Sequence, residues 1–349
     1  METLMKAKPT GSAWRNWKKA RVRERIRMKM SPLPGDWDAE WALCAAGKSG
    51  DVEFVKPPDA EVTARELVDW RKKQFIKKAA HEASRALIRV QVPISGPYGI
   101  LHFGDPHVDD DGTDWVQLDH DIELVKNTPG LFAANIGDSR NNWVGRLARL
   151  YADQSTSAKD GLILADYFLR QLKGKWVYII GGNHDAWSGA DDPLQWITEQ
   201  INALYQPSEA RIQIDSPSGA SVIINARHDF KGSSQWNNAH PVMKAAMLGV
   251  RDDIFVCGHK HLTGYGVVKS PDNGNICHCL QISSYKVYDR FAREKGFRDQ
   301  HISPCAVTVI DPNADPINRV QVFWDSTRGA EYLSDLRRRS PYAMDDHAR

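Results

Sequence analysis

The 349-residue sequence has no long hydrophobic run, little cysteine and almost no net charge. No segment approaches the roughly 18 to 20 consecutive apolar residues of a membrane-spanning helix, and the basic N-terminus lacks the apolar core of a secretory signal. The five cysteines include no CxxC pair, which argues against a disulfide framework and favours reduced thiols. With 46 Lys and Arg against 44 Asp and Glu, the whole chain has no nucleic-acid signature. These absences predict a soluble, cytoplasmic protein without a membrane partner.

Charge is unevenly distributed, although it nearly cancels over the whole chain. Residues 1–30 contain ten Lys and Arg against two Glu, whereas residues 91–349 contain 26 basic and 32 acidic residues. The stretch from Arg15 to Lys29 is basic and rich in helix-forming residues. It is either a solvated tail or an arm that follows a phosphate backbone. Thr63 and Glu66 form a capping box that predicts a second helix.

From about residue 89, short apolar strands that end in polar clusters replace this pattern. The candidate strands are Arg89–Ile94, Tyr98–Phe103, Leu131–Ile136, Trp176–Ile180, Ser221–Ala226, Asp253–Cys257, Cys277–Ser283, Ala306–Ile310 and Val320–Trp324. The candidate helices are Asp119–Lys126, Lys159–Leu172, Pro193–Leu204, Pro241–Met247 and Glu331–Arg338. Strands interleaved with helices, followed by a strand-rich C-terminal half, predict a layered α/β domain.

Five of the candidate strands run directly into Asp, Asn or His. The segments that follow them are Gly104–His107, Gly137–Asn142, Gly181–Asp185, Arg227–Asp229 and Gly258–His261. An isolated Gly-Asp or a lone His is usually a turn or a satisfied polar residue. In layered α/β proteins, however, ligands bind at the carboxyl ends of strands, so five such ends indicate one site.

These segments supply three oxygen donors and four imidazoles: Asp105, Asp138, Asn183, His107, His228, His259 and His261. One divalent ion has too few coordination positions for seven donors, so the set predicts two ions about 3.5–4 Å apart, bridged by a carboxylate. Mixed oxygen and nitrogen donors without thiolate suit Mn²⁺, Fe, Ni²⁺ or Zn²⁺ better than Ca²⁺. We expect Mn²⁺ first, with Fe, Ni²⁺, Zn²⁺ or Mg²⁺ as alternatives.

Two other segments invite a metal interpretation that their spacing does not support. The acidic loop at Asp109–Gly112, aligned as an EF-hand, places Leu118 where a bidentate Glu is required. In a strand, Cys277 and Cys279 would share one face while His278 points to the other. We therefore predict a structural strand at the cysteine pair.

The order DxH, GD, GNHD, H and GHxH over residues 96–325 resembles the calcineurin-like metallophosphoesterase superfamily and is similar to its DNA-repair exonuclease branch. The resemblance implies an α/β fold of layered α+β type, a double β-sandwich flanked by helices, with both metals at the strand ends. Matched by motif, one metal is bound by Asp105, His107 and His261, the other by Asn183, His228 and His259, and both by Asp138. His184 matches the catalytic histidine of the superfamily, and Asp185 matches the residue that orients it.

Two positions of this match leave alternatives open. His240 competes with His228, which we prefer because it directly follows a strand, whereas His240 precedes Pro241 at a helix start. Many members of the superfamily have Arg or Asp just after the GD block. Candidates for substrate contacts at this position are Arg140, Asn141 and Asn142.

The resemblance predicts hydrolysis of a phosphoester, with His184 protonating the leaving oxygen. A phosphodiesterase acting on nucleic acid is our first hypothesis, because the basic N-terminal region could bind DNA. The alternatives are a phosphomonoesterase or small-nucleotide phosphodiesterase, and a non-catalytic binding module.

The N-terminal region also resembles the leader of phage and prophage metallophosphoesterases, which implies a bacterial host cytoplasm. We expect a helical extension at 1–90, a catalytic domain at 91–330 and a C-terminal helix and tail at 331–349.

Overall fold

The structure, a computed structural model, describes residues 10–28, 31, 33–46, 62–188, 192–269, 274–294, 296 and 303–343. The chain divides into two compact units, Met1–Gln74 and Phe75–Arg349. The described helices are α1 (Gly11–Arg27), α2 (Trp37–Ala46), α3 (Ala64–Arg85), α4 (Trp115–Asn127), α5 (Ala158–Gln171), α6 (Pro193–Ile201), α7 (His240–Leu248), α8 (Arg290–Glu294) and α9 (Ser326–Arg339). Among them, none is long and apolar enough to cross a membrane.

The described strands all lie in the second unit. They are β1 (Ile88–Gln91), β2 (Tyr98–Phe103), β3 (Leu131–Asn135), β4 (Trp176–Ile180), β5 (Tyr205–Gln206), β6 (Glu209–Asp215), β7 (Val222–Arg227), β8 (Ile254–Cys257), β9 (Gly264–Lys269), β10 (Ile276–Gln281), β11 (Cys305–Ile310) and β12 (Val320–Phe323). Two short 3₁₀ helices, Gly145–Asp153 and Asp185–Ser188, complete the described elements.

In the first unit, α1 and α2 pack through tryptophans and a buried carboxylate. Trp17 stacks on Trp14 at 4.9 Å between ring centroids and meets Trp41 edge-on at 4.9 Å. Glu40, buried on α2, accepts hydrogen bonds from two arginines of α1, Arg21 at 2.8 Å and Arg25 at 2.7 Å. These contacts bury one face of α1 and leave its other face to solvent. Of the predicted basic stretch, Lys29 lies outside the described residues.

The second unit is built on two six-stranded mixed sheets. The first sheet has the order β1-β6-β7-β8-β10-β9, and the second has the order β12-β11-β2-β3-β4-β5. Apolar side chains of both sheets, such as Ile100, Ala134, Ile212 and Ile224, form a shared core, so the sheets pack face to face. A strand that is covered on both faces has a mostly apolar sequence. The fully buried β2 is an example, with His102 among apolar residues.

Helices cover the outer faces of both sheets. A second core joins the second sheet to α4, α5, α6 and α9, and a smaller one joins the first sheet to α7. The predicted double β-sandwich flanked by helices is therefore confirmed. Each candidate strand is present with ends within three residues of those predicted, and Cys277 and Cys279 are buried in β10 as expected.

The sequence analysis missed several elements for identifiable reasons. β6 alternates buried and accessible residues, so its polar Arg211 and Gln213 obscured the strand. β9 contains Gly266, which is unfavourable in a strand but fits here, because a Cβ would lie 2.3 Å from the sulfur of Met243. The predicted starts of α4 and α9 were four and five residues late. Their N-caps, Asp114 and Asp325, accept the backbone N–H groups of Gln117 and Arg328 in the first turn.

Candidate metal centre

The carboxyl ends of five strands bring the predicted ligands together in the second unit. β2, β3 and β4 are parallel neighbours in one sheet, and β7 and β8 are parallel neighbours in the other. Parallel strands end at the same edge of a sheet, which is where ligands bind in such folds. The loops carry Asp105 and His107 after β2, Asp138 after β3, Asn183 after β4, His228 after β7, and His259 and His261 after β8.

Asp105, His107 and His261 form the first of two groups of donors. The Nε2 atom of His261 lies 3.2 Å from Oδ2 of Asp105 and 3.2 Å from Nε2 of His107. All three side chains offer one ligand atom within 4.8 Å of the others. This spacing is suited to a single cation held by one carboxylate and two imidazoles.

The second group is centred on His228. Its Nε2 atom lies 3.0 Å from Oδ1 of Asn183, 3.2 Å from Nδ1 of His259 and 3.2 Å from Oδ2 of Asp138. The other ring nitrogen, Nδ1, lies 2.9 Å from the carbonyl oxygen of Ile136. A carbonyl can only accept, so Nδ1 carries a proton. Although burial opposes it, the Asp138 carboxylate raises the pKa of His228 to about 10, so a cation at Nε2 would replace the second ring proton.

Asp138 lies between the two groups. Its Oδ2 atom is 4.0 Å from Nε2 of His107 in the first group and 3.2 Å from Nε2 of His228 in the second. Its Oδ1 atom accepts the backbone N–H of His184 at 2.9 Å, which fixes the orientation of the carboxylate. One carboxylate in this position can contact both cations.

Burial controls the protonation of these ligands. Desolvation lowers the pKa of His107 well below its ordinary value, and burial together with the nearby His228 lowers the pKa of His259. Burial alone would raise the pKa of Asp138, but His228 and His184 outweigh it and lower that pKa. Two neutral imidazoles beside an ionised carboxylate are the protonation states that bind a metal ion.

The residues fit a pair of divalent ions on structural grounds as well. Oδ1 of Asp105 is buried without a hydrogen-bond partner among the described residues, as expected of an oxygen that ligates a cation. A Cβ on Gly182 would lie 2.0 Å from Oδ1 of Asp138, and one on Gly258 would lie 2.2 Å from Oδ1 of Asp105. Only glycine therefore leaves room for the two carboxylates.

Four of the predicted ligands have left-handed backbone conformations, with φ between 40° and 67°: His107, Asp138, His259 and His261. Each such non-glycine residue costs on the order of 1–3 kcal/mol and persists only where its surroundings hold it. The strain is concentrated at the strand ends that carry the donors, which is a feature of functional sites.

His184 forms a third group with His107 and Asp138 that could also hold a metal ion, and its side chain is 13% exposed. Its Nδ1 atom hydrogen-bonds the carbonyl oxygen of Asn141, and its Nε2 atom lies 3.8 Å from Oδ2 of Asp138. The carbonyl requires the proton on Nδ1, so Nε2 is directed toward the cluster.

Asp185 is buried, and its carboxylate accepts backbone N–H groups from Gly182 at 2.8 Å and Ser139 at 3.2 Å. Its expected role in orienting the His184 ring stays a prediction. Burial and the charge of Asp138 raise the pKa of Asp185. Asp185 thus joins the loops after β3 and β4, and the Asn141 carbonyl holds the ring.

The three candidate substrate residues are engaged in contacts within the protein. Arg140 and Asn141 are buried, and the Asn141 side-chain amide donates to Asp110 at 2.7 Å and to Gln154 at 2.9 Å. The Nδ2 atom of Asn142 donates to the carbonyl oxygen of His184 at 2.7 Å. Substrate binding by these residues stays a prediction, and the contacts favour a role in shaping the site.

The structure also separates the two histidines that competed for one ligand position. His228 belongs to the second donor group, whereas His240 begins α7. Within the described part of the chain, none of the clusters that could hold a metal includes His240. The sequence analysis missed Trp143 and Gln154, which lie next to His184 and to Asn141, because neither belongs to a recognisable motif.

No family model matches the sequence, and no curated protein matches it. Solved structures that resemble the chain include Vps29 of Chaetomium thermophilum, with 13% identity and a TM-score of 0.32, covering 65% of this chain and 95% of that one. The calcineurin-like phosphoesterase YfkN from Bacillus subtilis has 12% identity and a TM-score of 0.33, covering 69% and 96%. Pseudomonas putida nuclease MPE has 12% identity and a TM-score of 0.30, covering 64% and 87%. At these values the likeness carries no conclusion about chemistry.

Proposed function

We propose that this chain is a metal-dependent phosphoesterase that uses two divalent ions to hydrolyse phosphodiester bonds. The observation that carries the proposal is the convergence of seven oxygen and nitrogen donors around Asp138, beside a histidine that is not needed as a ligand. The order of these residues along the chain, which resembles the calcineurin-like superfamily, supports the same function.

The two groups of donors divide the ions between them. Asp105, His107 and His261 would hold one ion, Asn183, His228 and His259 would hold the other, and Asp138 would contact both. Such an ion pair, when bound, lowers the pKa of water toward about 7 and polarises a phosphoryl group. Oxygen and nitrogen donors without thiolate suit Mn²⁺, with Fe, Ni²⁺, Zn²⁺ or Mg²⁺ as alternatives.

His184 supplies the proton that the leaving oxygen requires. The Asn141 carbonyl holds one ring proton on Nδ1, so His184 acts as the acid in its imidazolium form, in which Nε2 carries the second proton, the one that is transferred. The side chain is 13% exposed, and its Nε2 atom lies 3.8 Å from Oδ2 of Asp138, on the side of the metal ligands. The backbone N–H of His184 meanwhile holds the Asp138 carboxylate in place.

A line of exposed cations on α1 supports nucleic acid as the substrate. These residues recur every fourth position, so they lie along one face of the helix: Arg15, Lys19, Arg23 and Arg27. The other face bears Trp14 and Trp17, which pack on α2. A line of cations on a rigid helix is suited to successive phosphates of a nucleic-acid strand.

One observation favours the second candidate, a phosphomonoesterase or small-nucleotide phosphodiesterase. The α1 cations belong to the first unit, whereas the metal ligands belong to the second, so the hydrolytic chemistry does not require the basic helix. A small substrate would need the second unit alone.

An activity panel separates these candidates. The protein is stripped with EDTA, reloaded with Mn²⁺ and assayed on a chromogenic phosphodiester, a chromogenic phosphomonoester, and labelled single- and double-stranded DNA. We expect no activity after chelation and recovery of diester and DNA hydrolysis with Mn²⁺. Monoester hydrolysis alone would support the second candidate. Full activity in excess EDTA, with metal analysis showing an empty protein, would rule out the metal mechanism.

A further inference from the structure

Three consecutive residues contact His184, and we name them the His184 clamp: Asn141, Asn142 and Trp143. The carbonyl oxygen of Asn141 accepts from the ring Nδ1, and Nδ2 of Asn142 donates to the His184 carbonyl oxygen at 2.7 Å. The indole of Trp143 meets the imidazole edge-on, with 5.1 Å between ring centroids. The clamp therefore contacts both the backbone and the ring of the histidine.

The clamp is in turn held by one side chain, that of Gln154. Its Oε1 atom accepts from Nδ2 of Asn141 at 2.9 Å and from Nε1 of Trp143 at 3.0 Å. A carboxamide oxygen has two lone pairs, and both are used here on the clamp. Gln154 directly follows the 3₁₀ helix Gly145–Asp153, so the chain returns to the clamp after this single short element.

The nitrogen of the same Gln154 amide is also held by hydrogen bonds. Its Nε2 atom donates to Oγ1 of Thr156 at 2.9 Å and to Oδ2 of Asp109 at 3.3 Å. Asp109 is itself buried and accepts the backbone N–H of Asn141 at 2.7 Å. The clamp segment is thereby fixed at its backbone by Asp109 and at its side chains by Gln154.

We propose that Gln154 is a positioning residue that holds the clamp, and through it the His184 ring, in the geometry for proton transfer. This inference rests on the proposed function. In the transfer step, a hydroxide oxygen bonds to phosphorus, the bond from phosphorus to the leaving oxygen breaks with its electron pair, and the proton on Nε2 of His184 passes to that oxygen. Among the described contacts, Gln154 bonds none of the predicted metal ligands, and its effect passes through Asn141 and Trp143.

Substitution of the glutamine separates positioning from a merely structural role. Gln154→Met keeps the length of the side chain and removes its hydrogen bonds. We expect kcat to fall by about 10- to 100-fold for a diester with a poor leaving group, the range for outer partners of a site and for small misplacements. A diester with a good leaving group, which needs little protonation, should change little, and KM and metal content should stay the same.

Two further variants serve as controls. Gln154→Glu keeps acceptor oxygens for Asn141 and Trp143 but adds a carboxylate beside Asp109, so its Tm should fall while its leaving-group dependence stays closer to wild type. Gln195→Met makes the same substitution at an exposed position of α6, where the glutamine side chain bonds only to neighbouring Glu199 among the described contacts, and should change nothing. An equal loss of kcat for good and poor leaving groups in Gln154→Met would overturn the proposal.

A second measurement does not depend on turnover. The ¹⁵N spectrum of the histidine rings, recorded on the Zn²⁺-loaded protein and assigned with His184→Gln, reports which nitrogen of His184 carries the proton. In the neutral form of the ring, which is the acid after it has given up the Nε2 proton, we expect the remaining proton on Nδ1 in wild type and a mixture of tautomers in Gln154→Met. An unchanged His184 signal in Gln154→Met would contradict the positioning role. If metal-loaded wild type hydrolyses no phosphodiester, the proposed function fails, and this comparison still decides the role of Gln154.

Discussion

The two units carry their functional charges in opposite ways. In the first unit, four of the cations of α1 are exposed on one helix face: Arg15, Lys19, Arg23 and Arg27. The second unit instead buries Asp105 and Asp138 among histidines. Exposed charges act over a distance and are screened by salt, while buried charges act through fixed geometry and respond little to salt. The charges of the two units are therefore expected to respond differently to their surroundings. Substitutions and ionic strength should affect the two units differently.

The largest effect is expected at the centre of the buried cluster. Asp138→Asn removes the negative charge that both donor groups share, so at least one ion should be lost from the protein. Turnover should fall by about 10³-fold, since a bound ion supplies several kcal/mol of stabilisation and each 1.36 kcal/mol is tenfold in rate. Metal analysis and diester kinetics measure both quantities.

The control for this prediction is Asp335→Asn. Asp335 is an exposed carboxylate on α9 that pairs with Arg338, so removing its charge should leave metal content and turnover unchanged. If Asp138→Asn bound two metals with near-normal turnover, Asp138 would not contact both ions.

The second effect separates chemistry from metal binding within the same unit. His184→Gln should keep both ions and lower turnover by about 10²–10⁴-fold, the usual range for the loss of a general acid. The loss should be smaller for diesters with good leaving groups. His120→Gln, which changes an exposed histidine of α4 that bonds Thr327, is the matched control and should have no effect. Loss of metal from His184→Gln would instead make this residue a ligand.

The strand ends could be predicted from the sequence because each donor follows a short apolar run. Local sequence was sufficient for β2, β4 and the ligands of the GNHD and GHxH segments. The partner of the His184 ring was not predictable in this way, because it is a backbone carbonyl and any residue type at position 141 would carry one. Gln154 was missed for a related reason, since its hydrogen bonds to Asn141, Trp143 and Asp109 join residues 11 to 45 positions apart and follow no spacing rule.

The third effect tests the exposed charges. Replacing Arg15, Lys19, Arg23 and Arg27 with Gln should weaken DNA binding. It should also flatten the dependence of the logarithm of the DNA-binding constant on the logarithm of the salt concentration. The slope should fall by about 0.7 on single strands, and by about 0.9 on duplex, for each phosphate that the variant no longer neutralises. Hydrolysis of a small chromogenic diester should stay the same, because the metal ligands belong to the second unit.

The control for the α1 variant neutralises the same number of exposed cations in the second unit: Lys159, Lys173, Arg328 and Arg338. These residues are scattered and lie on no single helix face, so we expect a smaller change in the salt slope. Equal slopes in the two variants would show that α1 has no specific role in binding, and a small-molecule substrate would then be favoured.

The smallest effect concerns the carboxylate that α1 and α2 share. Hydrogen bonds from Arg25 and Arg21 lower the pKa of Glu40. A lowered folded pKa means that Glu40 stabilises the two helices at neutral pH and that this stabilisation is lost as the pH falls through the lowered pKa. Hydrogen exchange of the α1 amides, measured by mass spectrometry, should show weaker protection in Glu40→Gln than in wild type at pH 7. The difference should disappear in acid.

Glu199→Gln, on α6 of the second unit, should leave α1 exchange unchanged at every pH. A difference between Glu40→Gln and wild type that persisted in acid would show that packing, and not the charge of Glu40, holds α1 against α2.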